Sequence, residues 1–147
     1  MNSRFSIAVH VLCLLAATPF QRQTSEFLAS SIGTNAVVIR RLLANLRRAG
    51  LVSSKSAGGG GWKLAISAEQ LTLDLVRRAT AEGEATRMHR NQPDPACPVG
   101  KDVRRVLAGV YQRADEAVDR ELAQISIAAI LESVLQQEKM QEIPLES

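Results

Sequence analysis

The sequence predicts a mainly α fold with a small β-hairpin wing: a winged helix-turn-helix followed by long C-terminal helices. Three observations predict it. Residues 36–49 pattern as a helix with one apolar face and one basic face. Four consecutive glycines, Gly58, Gly59, Gly60 and Gly61, follow it as a turn between two strand-like runs. Residues 98–122 carry an apolar stripe at helical spacing.

Residues 2–17 read as a largely buried helix ended by Pro19. Its apolar run, Ile7 to Ala17, is interrupted by His10, is too short to span a bilayer and lacks a clean cleavage site. A buried helix is therefore expected rather than a signal peptide. No other segment has spanning length, so no membrane association is expected, and the chain should be cytoplasmic. Thr24 and Ser25 are N-cap candidates for a short helix over 26–31, with Phe27 and Leu28 directed inward and Gly33 ending it. Asn35 can cap the next helix, and Gly50 sits where a helix stops. Within that helix Ile39, Leu42, Leu43 and Leu46 share one face, opposite Val37, Arg41, Ala44 and Arg48, with Arg40 and Arg47 on a flank. Two helices joined by a short glycine-containing turn form a helix-turn-helix. Residues 51–54 and 62–66 are the expected wing strands. A helix is expected over 69–81, anchored by Leu71, Leu73, Leu75 and Val76. Residues 82–98, with three prolines, have no periodicity and read as a loop. In the long helix after it, Val103, Val106, Leu107, Val110, Ala114 and Val118 line the stripe. Ser126 caps a last helix whose Ile127, Ile130, Leu131, Val134 and Leu135 face inward, with a frayed tail beyond Gln137.

Composition narrows the function. Residues 1–66 hold eight Lys/Arg and one acid, a net +7; residues 67–147 hold ten Lys/Arg and fourteen acids, a net −4. A basic half joined to an acidic half suggests a polyanion-binding part and a part with another role. Only five aromatic residues are present, Phe5, Phe20, Phe27, Trp62 and Tyr111, which disfavours folds that stack single-stranded bases. The only histidines are His10 and His89, and no nucleophile–base arrangement or carboxylate pair has motif support, so an enzyme is not expected. Two cysteines without a CxxC pair make neither a disulfide framework nor a zinc site.

An α-helix fits the major groove of double-stranded DNA, where arginine can bridge guanine and asparagine adenine. Thr34, Asn35, Arg40 and Arg41 are the candidate base readers, with Val37 and Val38 beside them. Thr24, Ser25, Arg47, Lys55, Ser56, Lys63 and the glycine turn are candidates for positioning phosphate. The same elements would also suit a winged-helix protein-interaction module without specific DNA binding.

The run RRLLANLRRAGLVSSKSAGGGGWKLA over 40–65 resembles the signature of the Rrf-two transcriptional regulators, the family of IscR, NsrR and CymR. The opening SRFSIAVHVLCLLA and the segments 71–80 and 126–135 fit as well, so the resemblance spans nearly the whole chain. It implies a homodimeric repressor on a palindromic operator, with the 103–118 stripe buried against a partner. It implies three parts: a DNA-binding domain over 1–80, an effector loop over 81–98, and dimerisation helices with a tail over 99–147. Two departures stand out. Family members often place an arginine before the wing glycines, where this chain has Lys55 and Ser56. Cluster-binding members carry three loop cysteines, of which only Cys97 remains; Asn91 and Gly100 occupy other ligand positions. An iron–sulfur cluster is therefore not expected, and no cofactor is assigned. Cys97, with Cys13 and His89 as further candidates, is the expected sensor of an oxidant, unless a small-molecule effector serves instead.

Overall fold

The structure, a computed structural model, describes residues 1–81 and 93–141; His89 and Asn91 lie outside the described residues. Helix α1 (Ser3–Ala17) starts where the Asn2 side chain accepts the Phe5 N–H at 3.0 Å, and it buries Ala8, Val11, Leu12 and Leu15 on one face. Helix α2 (Ser25–Ile32) is capped by Thr24. It ends as Thr34 N–H reaches Ala29 C=O at 3.0 Å and Gly33 N–H reaches Ser30 C=O at 3.3 Å, the paired bonds of a Schellman stop. Helix α3 (Ala36–Arg48) is capped by Asn35 and ends in the same way, with Leu51 N–H on Leu46 C=O and Gly50 N–H on Arg47 C=O, both 2.9 Å. The chain bends by 112° between α2 and α3, within the range of helix-turn-helix units.

Ile39, Leu42, Leu43 and Leu46 seal α3 against a core that also holds Leu12, Leu28, Leu71 and Val76. Phe27 departs from the expected inward direction: it is 47% exposed, because Leu28 and Ala29 already fill the buried side of the short α2.

Strands β1 (Val52–Lys55) and β2 (Gly61–Leu64) pair antiparallel, Val52 opposite Leu64 and Lys55 opposite Gly61. The return strand thus starts one residue earlier and ends two residues earlier than expected. Gln23, just before α2, exchanges both backbone hydrogen bonds with Trp62, 2.9 and 2.8 Å, and so joins the wing to the helix-turn-helix. This contact dictates the last glycine. Gly61 adopts φ +123°, and a Cβ there would lie 2.8 Å from the Gln23 carbonyl oxygen.

Helix α4 (Leu73–Thr80) is shorter than the expected 69–81. Thr72 is extended instead, and its neighbours bond across the fold: Leu73 N–H reaches Ile125 C=O at 2.9 Å and Ile127 N–H reaches Leu71 C=O at 2.8 Å. A tertiary backbone bridge between Thr72 and Ser126 thereby overrides the helical spacing. Helix α5 (Pro98–Leu122) has the expected bounds, and α6 (Ile127–Gln141) runs past the expected fraying point. Ser126 Oγ accepts the Ala129 N–H at 3.1 Å at the start of α6. Val134 and Leu135, expected inward, are 49% and 47% exposed, because α6 extends beyond the helices it packs on.

One ion cluster ties α5 to the rest. Arg77 of α4 donates to Asp115 at 2.7 Å and Asp119 at 2.6 Å, one turn apart on α5. Among the described residues no single helix is long and apolar enough to cross a membrane.

Gly61→Ala should lower stability by about 1–3 kcal/mol, the order of a forced backbone outlier, measured by urea denaturation. An unchanged midpoint would show that the Gln23–Trp62 contact yields without cost.

Candidate nucleic-acid interface

The outer surface of α3 is built by exclusion. Its four buried side chains fix the rotation of the helix, which leaves Val37 54% exposed and Val38 38% exposed, with Arg40 and Arg41 beside them in solvent. Arg41 has no hydrogen bond or ion pair among the described residues. Arg40 is engaged: its guanidinium pairs with Glu26 of α2 across the helix-turn-helix. The Glu26 carboxyl is held below the usual carboxylate range by a hydrogen bond from its own backbone, and then by Arg40. Arg40 is thus partnered before any ligand arrives.

The caps partly occupy side chains that composition alone offers as readers. Asn35 Oδ1 accepts the Val38 N–H at 3.0 Å, which leaves the amide nitrogen as the uncommitted donor. Thr24 Oγ1 accepts the Phe27 N–H at 3.1 Å and keeps its hydroxyl proton to donate. Thr34 is half-buried in the turn between α2 and α3. Ser25 is 7% exposed, so its hydroxyl does not present itself to a ligand as the sequence suggested.

The wing places its basic residues Lys55 and Lys63 outward, and Ser56 is exposed with them, as are Gly58 and Gly59 at the tip. Gly60 packs close to the strand before it; a Cβ there would lie 2.5 Å from the Lys55 carbonyl oxygen. Arg47, expected on phosphate, is turned toward the wing. It donates to Ser54 Oγ at 3.1 Å and stacks 5.6 Å from the Trp62 ring centroid. Arg22 lies alongside, donating to the carbonyls of Gly61 at 3.3 Å and Ser53 at 3.5 Å. Arg22 and Trp62 were not singled out from the sequence. The signal for them is tertiary: the Arg22 bonds and the Gln23–Trp62 backbone pair span more than thirty residues, and the Trp62 ring meets Arg47 fifteen residues away.

The basic α3 face and the wing therefore lie on one body, held by the Gln23–Trp62 backbone pair, Arg22 and Arg47. Uncompensated positive charge, an exposed helix with small and apolar side chains between arginines, and a basic hairpin together suit a groove and its flanking phosphates.

The sensor candidates lie elsewhere. Cys97 is half-exposed and caps α5, its Sγ accepting the Gly100 N–H at 3.3 Å. Cys13 sits in α1 against the core, where burial pushes its thiol above the usual range. Both thiols are free. Among the described residues no group of three His, Cys, Asp or Glu side chains is placed to hold a metal ion. The stripe on α5 is only partly covered: Val106 is 59% and Val110 42% exposed, Ala114 is exposed, and Val103, Leu107 and Val118 are half-buried.

Comparison with known proteins gives a consistent result. The model of the Rrf2 family, described as iron-dependent transcriptional regulators, matches residues 1–133. YwnA of Bacillus subtilis (strain 168), assigned as an HTH-type transcriptional regulator, is 30% identical over 131 residues, covering 89% of this chain and 96% of YwnA. A crystal structure of a protein assigned as DNA-binding superposes with a TM-score of 0.71 at 31% identity, covering 88% of this chain and 99% of the other. One from Lactobacillus plantarum, assigned as a transcriptional regulator, reaches a TM-score of 0.77 at 24% identity, covering 97% and 100%. The cysteine regulator CymR of B. subtilis shares the fold at 17% identity, with a TM-score of 0.66 over 90% of this chain and 96% of CymR.

Arg47→Ala should lower stability by about 1 kcal/mol, through loss of the Trp62 stack and the Ser54 bond. Amide hydrogen exchange should accelerate in 52–64 while α1 amides keep their relative protection. Unchanged exchange in the wing would remove Arg47 as its clamp.

Proposed function

Since the chain belongs to the Rrf2 family of DNA-binding transcriptional regulators, we propose that it works as a cytoplasmic homodimeric repressor reading a palindromic operator through α3. The observation that carries the reading is the outer face of α3, where Val37 and Val38 stand in solvent beside Arg41, which has no hydrogen bond or ion pair among the described residues, on a helix whose rotation the core fixes. Arg41 is the first base reader, on guanine; Val37 and Val38 suit thymine methyls. The Asn35 amide nitrogen and Thr34 assist at the N-terminus of α3. Arg40 joins them once an incoming phosphate or base competes with Glu26. Thr24, Lys55, Ser56, Lys63 and the wing glycines hold backbone phosphate, and their charge makes affinity fall steeply with salt.

The half-exposed stripe on α5 supports the dimer. A 25-residue helix with Leu122 as its one buried side chain is incompletely packed in a single chain. A second copy crossing on Val103, Val106, Leu107, Val110, Ala114 and Val118 would bury that stripe and set two α3 helices on successive half-sites.

The effector acts at the start of α5. In this reading Cys97 reacts with a hydroperoxide: its thiolate sulfur attacks the terminal oxygen, the O–O bond breaks, the sulfur becomes a sulfenic acid, and the departing alkoxide takes up the proton that the thiol had released, leaving as the alcohol. The added oxygen alters the cap on Gly100. Cys13 takes no part, because its buried thiol is the poorer nucleophile. The family's iron dependence is not carried by a conventional cluster here, since the sequence supplies two thiols and one of them sits in α1. A small-molecule effector is the second reading of the same control, and His89 remains a candidate within the loop.

Fluorescence anisotropy on the upstream promoter DNA tests the regulator. Specific binding should exceed that to scrambled DNA and weaken by orders of magnitude between low and moderate salt. Arg41→Ala should cost roughly 1–3 kcal/mol and relax base preference at one position of each half-site. No specific binding there or in a random-sequence selection would favour the interaction-module reading. In sedimentation equilibrium, the double variant V106D/V110D should fall from dimer to monomer mass; a persisting dimer would place the interface elsewhere. Cys97→Ser should abolish release of DNA by peroxide. Release at the wild-type level would exclude Cys97 as the sensor.

A further inference from the structure

A cleft of about 510 Å³ lies between the first half of α1 and the outer face of α3. Arg4, Arg41 and Arg48 edge it, Asn45 adds an amide, and Ile7, Val38, Leu42 and Ala44 supply an apolar wall. Among the described residues no carboxylate lines it. The one acid of residues 1–66, Glu26, is engaged by Arg40. Arg4, like Arg41, has no hydrogen bond or ion pair among the described residues.

We propose that this cleft is a ligand site for an amphipathic organic anion: a carboxylate, sulfonate or phosphate ester on an apolar body. The volume matches sites that hold small organic molecules. Arg48 already donates to the Asn45 side-chain oxygen, so the guanidinium groups of Arg4 and Arg41 are the ones that favour a negative head, which they bind with charge-assisted hydrogen bonds. The wall of Ile7, Val38 and Leu42 favours an apolar body over a bare inorganic ion, which would leave it wet. Arg41 belongs both to this cleft and to the DNA-facing surface of α3. An occupied cleft therefore withdraws Arg41 from the groove and covers Val38, so ligand and DNA compete. The competition rests on the DNA-reading role of α3; the binding site itself does not.

8-Anilinonaphthalene-1-sulfonate serves as the probe, with the neutral N-phenyl-1-naphthylamine and inorganic phosphate as comparisons. Calorimetric titration of the full chain should show the sulfonate binding at a defined site. Affinity should fall about tenfold in Arg4→Gln and again in the double variant R4Q/R41Q, the order of one charge-assisted hydrogen bond each. The stripe variant V106D/V110D should keep that site, which separates it from dye adsorbed on α5. The neutral amine should bind at least tenfold more weakly, and millimolar phosphate should not displace the sulfonate. In anisotropy, the sulfonate should release promoter DNA from the wild type, and Arg4→Gln should need about tenfold more of it.

Equal affinity in wild type and R4Q/R41Q would overturn the site. Equal binding of the neutral amine would reduce it to a greasy patch, and displacement by phosphate to a bare anion site; either overturns the ligand class. Probe binding at the arginines in a chain that binds no DNA would sustain the site and sink the regulator reading. Specific DNA binding without a probe site would do the reverse.

Discussion

The burial of one face of α3 is the constraint on which the rest depends. Ile39, Leu42, Leu43 and Leu46 recur at helical spacing and enter the core together. Each is worth on the order of 1.5–3 kcal/mol in removal from water, so rotating the helix to expose them would cost more than a domain of this size can spare. The opposite face is consequently held in solvent with its arginines whether or not a ligand is present. The function of the head follows from packing on its hidden side.

The second constraint is the way the wing is attached. A two-stranded hairpin is marginal alone in water. Here its return strand borrows a partner from the chain before α2: Gln23 and Trp62 share two backbone bonds, while Arg22 and Arg47 hold the carbonyl edge and the ring. Two arginines that composition counts as free positive charge are thereby structural. The basic surface that remains is smaller and better defined than the net charge of the N-terminal half suggests.

Much of this is legible in the chain because it is local. Caps at Asn35 and Thr24, stops at Gly33 and Gly50, the hairpin and both bounds of α5 depend on residues a few positions apart. The discrepancies share a different origin. Helix α4 begins late because Thr72 pairs with Ser126, more than fifty residues away. Phe27 and Val134 face outward because short or overhanging helices have fewer neighbours than their apolar spacing implies. Ser25 is buried and Arg40 engaged for tertiary reasons as well. The cleft beside Arg4 is invisible in the sequence, since its walls come from helices separated by some thirty residues and the turn of α2. Membership of the family could be recognised from the run of residues 40–65 alone.

Arg77 gives the molecule a fulcrum. It grips Asp115 and Asp119, near the C-terminal end of α5, and leaves the opposite end far away. At 1.5 Å per residue, Cys97 lies about 27 Å along the axis from Asp115. On an arm of that length, a pivot of about 5° at the guanidinium displaces the Cys97 end by roughly 2 Å. Read in the other direction, a 2 Å rearrangement around Cys97 reaches α4 as a rotation of only a few degrees. The geometry of the long helix is that of a reduction gear: a displacement at one end corresponds to a fine angular adjustment beneath the head that carries α3.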